Sequence, residues 1–142
     1  MVRFWDTSAL IPTILAEPMT PRTRQWIRQD GNVAVWTFTR VELLSALARR
    51  RRERLAAPDV LAAARRELLA AWEQWSEIAA IDLVRPRAER LVERHPLRAA
   101  DALQIGAALV AADDDPATLE FVTLDRVLAR AAEVEGFRVL GP

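Results

Sequence analysis

The chain has 142 residues, of which 51% are hydrophobic, with 20 basic and 20 acidic side chains: enough for one compact domain with a real core and no net charge. A nucleic-acid partner therefore cannot be inferred from overall charge, and any basic surface must be local. There is no lysine and no cysteine, and His95 is the one histidine, which excludes lysine-dependent phosphate loops, Schiff-base chemistry, disulfides, thiolate zinc sites and multi-histidine metal sites.

In chain order, Val2–Trp5 is a short β-prone run ending at Asp6, and Thr7–Ala16 then reads as a helix. Thr20 reads as an N-cap with Pro21 in the first helical position, opening a helix to about Asp30 that Gly31 stops. Asn32–Phe38 is rich in β-branched and aromatic residues and is expected to be a strand. Thr39 and Glu42 have capping-box spacing, which opens a helix through about Leu55. Pro58 begins a long helix to about Glu77, with Leu61, Leu68, Leu69, Trp72 and Trp75 at helical spacing. Ile78–Val84 could hold a short strand, and Arg85–Arg94 is helical up to the break at His95-Pro96. Arg98–Ala112 is a strong helix, ended by Asp113, Asp114, Asp115 and Pro116. Glu120–Leu124 is a strand, Arg126–Glu135 a helix stopped by Gly136, and Phe137–Leu140 a last strand.

Strands alternating with helices across short connections indicate an α/β fold with a mainly parallel sheet, and no repeat or linker divides residues 1–142. Asp6 and Pro12 break any leader-like apolar run near the start. Later apolar stretches carry Arg or Glu every few residues, so a cytoplasmic protein without a membrane span is expected.

In such a sheet, each helix that follows a strand starts at the strand's carboxyl edge, where ligands gather. Asp6 ends the first strand, Glu42 lies in the first turn after the second, Asp125 ends the Phe121–Leu124 run, and Asp101 opens the helix leading back to it. All are therefore expected on one rim. Each also has a plain structural reading: Asp6 and Asp125 as N-caps, Glu42 as a capping-box partner, Asp101 as an acid favoured by the helix dipole. Together, converging carboxylates raise one another's pKa unless a cation sits among them, and an all-oxygen site suits Mg²⁺ or Mn²⁺. The chemistry implied is metal-assisted phosphodiester hydrolysis, as a class.

The ordered motifs Phe4–Leu10 (FWDTSAL), Thr39–Leu47 (TRVELLSAL), Leu97–Ile105 (LRAADALQI) and Phe121–Asp125 (FVTLD) span essentially the whole chain. In them the chain resembles the PIN-domain nucleases, most closely the VapC toxins of bacterial toxin–antitoxin pairs. The resemblance implies a three-layer α/β fold with Asp6, Glu42 and Asp101 as Mg²⁺ ligands and Asp125 as a more variable fourth acid. Ser8 and Thr123 match hydroxyl positions beside the ligands. Gln104 stands where many relatives have His, and no catalytic role is carried onto it. The family implied is one of endoribonucleases, typically dimeric, silenced by an antitoxin that covers the acidic groove.

Arg49–Arg52 and Arg54 form the densest basic run; at a helix C-terminus they can be a solvated face or a contact for RNA or antitoxin. Arg98, one turn before Asp101, is better placed to meet a phosphate or carboxylate. Asp113–Asp115 reads as a solvated turn, Trp72 and Trp75 as packing, His95 as a loop residue and Gly106 as a site of close helix approach. Two rival functions remain: a phosphatase using Asp6 as nucleophile, disfavoured by the missing lysine, and a non-catalytic RNA-binding or regulatory module.

Overall fold

The computed structural model describes residues 1–142. Strands β1 (Arg3–Trp5), β2 (Val33–Trp36), β3 (Ser76–Ile78), β4 (Glu120–Val122) and β5 (Arg138–Leu140) form one sheet in the order β3-β2-β1-β4-β5. Every neighbouring pair is parallel, with Phe4 opposite Ala34 on one side and Phe121 on the other. Around the sheet pack α1 (Thr7–Ile14), α2 (Thr20–Gln29), α3 (Thr39–Arg52), α4 (Pro58–Trp72), α5 (Ile81–Arg94), α6 (Ala99–Ala111) and α7 (Arg126–Val134).

Strand alternation divides the interior into two cores. Phe4, Ala34, Trp36 and Phe121 face Val84, Leu91, Ile105 and Leu128 from α5, α6 and α7. Trp5, Val33, Val35 and Val122 face Leu10, Leu43, Leu61 and Leu68 from α1, α3 and α4. A sheet covered on both faces reads as continuous apolar runs, as β2 does with all of its residues buried. The result is a three-layer α/β domain, as expected. No helix is long and apolar enough to cross a membrane.

The chain leaves β1 for β2 and β3 on one side of the sheet and later crosses to β4 and β5 on the other. The switch in direction opens a crevice at the carboxyl ends of β1 and β4. Asp6 and Thr123 stand there, directly after the two strands.

Several boundaries differ from the sequence reading. The strand expected at Ile78–Val84 lies at Ser76–Ile78, and α4 stops at Trp72 instead of Glu77. Glu77 accepts from Trp72 Nε1 at 2.9 Å, and Thr37 N donates to Ile78 O at 2.9 Å, so tertiary bonds pull this polar segment onto the sheet edge. Ile81–Val84 instead opens α5, whose Val84, Ala88 and Leu91 follow helical spacing into the core. Gly106 marks where α5 and α6 close on each other: a Cβ there would meet Val84 O at 3.1 Å and Ala88 N at 3.3 Å. Thr20 is not the cap of α2. Met19 precedes the helix, and the Thr20 hydroxyl bonds Leu15 O at 2.8 Å while accepting from Glu17 N at 2.9 Å.

Candidate active site

Asp6 does two things at once. It caps α1 by accepting from Ser8 N, and its carboxylate lies in the crevice, 5% exposed. Three donors meet the same oxygen, Oδ2: Ser8 Oγ at 2.5 Å, Thr123 Oγ1 at 2.9 Å and Ser8 N at 3.3 Å. Ser8 and Thr123 are 3.2 Å apart, and each hydroxyl also accepts from the β4–α7 link, Ser8 Oγ from Leu124 N and Thr123 Oγ1 from Asp125 N. The network clamps one oxygen of Asp6 and leaves Oδ1 without a protein donor. Burial pushes the Asp6 carboxyl above its ordinary value; the Ser8 and Thr123 bonds oppose this and the charge of Asp101 adds to it.

Glu42 lies in the first turn of α3, half-buried. Its carboxyl is pushed up to about 6, first by burial and then by the charge of Asp6, against hydrogen bonds from Gln104 and Thr7. The capping box expected here does not form. Phe38 is the capping residue and makes no side-chain bond, while Thr39 lies inside the helix with its hydroxyl buried against Gln104 Nε2 at 2.8 Å. Glu42 turns away from the helix terminus and accepts from Gln104 Nε2 at 3.2 Å. The acid is thus spent on the crevice, and the cap is left to backbone.

Asp101, in the first turn of α6, also titrates above its ordinary range because of burial, with Arg98 opposing and Asp125 adding. Arg98 Nε approaches Asp101 Oδ2 at 3.7 Å from a side chain that is 87% exposed. Asp125 caps α7 by accepting from Leu128 N at 3.0 Å. Electrostatic coupling therefore runs from Asp6 to Glu42 and Asp101, and from Asp125 to Asp101. The residues distant in sequence come to one rim.

No three acidic side chains stand close enough, as placed, to ligate one ion together. Each carboxylate meets a partner of its own: Asp6 the Ser8 and Thr123 hydroxyls, Glu42 the Gln104 amide, Asp101 the Arg98 guanidinium and Asp125 the Leu128 N–H. The donor chemistry still fits a small hard cation: all oxygen, one carboxylate oxygen of Asp6 free of donors, and mutual repulsion that a cation relieves. Mg²⁺ keeps several waters and needs only one or two direct carboxylates.

Gln104 is the residue that sequence reasoning left without a role. It is 1% exposed, its amide nitrogen reaches Thr7, Thr39 and Glu42, and its carbonyl oxygen has no partner. An orphaned buried carbonyl costs about 1–3 kcal/mol. The available signal was one amide on an otherwise apolar helix face of Ala102, Ile105, Gly106 and Leu109.

Other expectations sort themselves away from the rim. Asp113 and Asp114 form a turn with positive φ, and Asp114 is paired with Arg87 at 2.8 and 2.5 Å. Trp72 is buried and 5.9 Å from the Trp75 ring, a packing pair. His95 is not a free loop residue: it ends α5 and bonds Glu135 at 2.7 Å. Arg50 pairs with Glu17 at 2.7 Å and Arg49 with Glu53 at 3.2 Å, whereas Arg51, Arg52 and Arg54 line, with Arg65, a groove of about 870 Å³ between α3 and α4. A second groove, also of about 870 Å³, runs from Glu42 past Arg98 to Arg49.

A model of the PIN domain matches residues 3–134. No curated protein matches the chain. Among solved structures, PAE2754 from Pyrobaculum aerophilum superposes with a TM-score of 0.61 at 24% identity, over 97% of this chain and 89% of that one. FitAcB from Neisseria gonorrhoeae superposes with a TM-score of 0.66 at 16% identity, over 99% and 96% respectively. At these identities the neighbours establish the fold, and the family rests on the domain match over nearly the whole length. The chain belongs to the PIN-domain family, whose members are generally nucleases.

Proposed function

We propose that the protein is a Mg²⁺-dependent endoribonuclease, with Mn²⁺ able to substitute, and that it is the toxin of a toxin–antitoxin pair. The observation that carries this reading is the convergence of Asp6, Glu42, Asp101 and Asp125 on the carboxyl rim of a PIN sheet, where burial and mutual charge hold Asp6, Glu42 and Asp101 above their ordinary pKa. A divalent cation held there would lower the pKa of a coordinated water and offset charge developing on phosphoryl oxygens. The remaining work belongs to the chain. Ser8 and Thr123 hold Asp6 rigid and present Oδ1 to the crevice. Asp101 and Asp125 add negative charge to the rim that would favour a cation there. Arg98, exposed and only loosely paired, can swing to a substrate phosphate.

The partners proposed are RNA, a cognate antitoxin and a second copy of the chain. An apolar pocket of about 350 Å³ between Phe38, Val41 and Leu103 adjoins Glu42 and supports a protein surface covering the rim.

Incubation of purified protein with RNA tests the reading. Cleavage is expected with Mg²⁺ or Mn²⁺, is lost with chelator, and is absent for Asp6→Asn at unchanged circular dichroism. Undiminished metal-dependent cleavage by Asp6→Asn would sink the assignment.

A further inference from the structure

Gln104 is the side chain that ties together the opening turns of the three helices bearing Asp6, Glu42 and Asp101. It sits one turn after Asp101 on α6 and is 1% exposed. Its Nε2 lies 3.1 Å from Thr7 Oγ1 on α1, 2.8 Å from Thr39 Oγ1 on α3 and 3.2 Å from Glu42 Oε1. Two N–H bonds thus face three oxygens while Oε1 meets nothing. Turning the amide over would give Oε1 two hydroxyl donors, but it would set that oxygen against the Glu42 carboxylate. The orientation present serves the carboxylate at the expense of the amide's own oxygen. A buried polar group left unsatisfied in this way points to a task other than packing.

We propose that Gln104 is a positioning residue for Glu42: an uncharged donor that holds Oε1 so that the other carboxylate oxygen is presented to a divalent cation. The inference rests on the metal-site reading above. Neutrality is the useful property. A guanidinium or ammonium in this place would cancel the charge of Glu42 and repel the cation. An amide restrains the carboxylate and leaves its charge available. Thr7 on α1 and Thr39 on α3 fix the amide in turn, so the orientation of Glu42 is set by a donor carried on a different helix, α6.

The test is Mn²⁺ titration by calorimetry of the full-length wild type, Gln104→Met and Gln104→Asn. Methionine matches the length without a donor; asparagine keeps the amide but draws it back by one methylene. Both variants are expected to melt metal-free within a few degrees of wild type and to bind Mn²⁺ about 10–100-fold more weakly. Saturating Mn²⁺ should restore their RNA cleavage. Should methionine prevent folding, the asparagine variant gives the same comparison. A lowered metal-free Tm with unchanged Mn²⁺ affinity would mean a merely structural role and overturns the proposal. Failure of the wild type to bind Mn²⁺ would overturn the metal reading and the proposal with it, whereas wild-type affinity retained in both variants overturns the proposal alone.

Discussion

At the scale of single residues, the site shows why a structural and a functional reading of an acid need not compete. Asp6 caps α1 through Oδ2 and keeps Oδ1 for the crevice, because a carboxylate has more acceptor sites than a cap requires. Thr123→Val keeps the shape of the side chain and removes the donor at 2.9 Å. It should lower the cleavage rate by about 10–100-fold, measurable as kcat with the fold checked by circular dichroism. Glu42 sets a pH dependence. Its folded pKa of about 6 lies above the ordinary 4.5, so the ionised form is the one that folding disfavours. Its stabilising contribution is complete below pH about 4.5 and is lost as pH rises through about 6; burial shifts Asp6 and Asp101 in the same direction. Metal-free Tm should therefore fall between pH 4.5 and 7, and Glu42→Gln should flatten that fall. Positions of the acids were legible in the sequence because helix starts announce themselves. The partner of Glu42 was not, because Gln104 lies 62 residues away on a helix covering the other face of the sheet, and the two meet only at its carboxyl rim.

At the scale of elements, Asp125 and Gly106 carry the sharpest predictions. Asp125 Oδ1 caps α7, and asparagine caps as well as aspartate does. Asp125→Ala should lose about 1 kcal/mol of stability in a denaturant melt, and Asp125→Asn little. If the charge of Asp125 serves the cation, both variants lose Mn²⁺ affinity; unchanged affinity in Asp125→Asn would confine the residue to capping. Gly106→Val sets a branched Cβ within 3.1 Å of Val84 O and 3.3 Å of Ala88 N and should cost about 1–3 kcal/mol or part α5 from α6. Boundaries were well read wherever an apolar period or a capping aspartate marked them, as at α1, α6 and α7. They failed around β3, whose Ser76 and Glu77 are exposed on an edge strand and leave no apolar trace. Register with Trp36, not propensity, makes that segment a strand.

For the whole molecule, the proposed function sets the net charge of zero and the acidic rim a single problem: an RNA substrate would have to approach four carboxylates. A bound divalent cation would resolve it locally, with Arg98 beside Glu42 at the rim and the arginines of α3 further along the helix that carries Glu42. A cation that binds the folded state alone stabilises it by about 2.7 kcal/mol at a hundredfold excess over Kd, which raises Tm by several degrees in a domain of this size. Mg²⁺ should therefore raise Tm more at pH 7.5 than at pH 5, where Glu42 holds its proton; equal shifts at both would separate the cation from this carboxylate. Alternation of strand and helix, caps and the order of four motifs determined by sequence alone the layered α/β class, the family and which acids stand at helix starts on the carboxyl edge, since these depend on local periodicity and on spacing along the chain. Tertiary structure decided the rest: which oxygen of Asp6 is left open, that Glu42 abandons its helix cap, and that Gln104 joins three helices across the crevice. Those are contacts between segments far apart in the chain, and only the closing of the two cores on the sheet brings them within hydrogen-bonding distance.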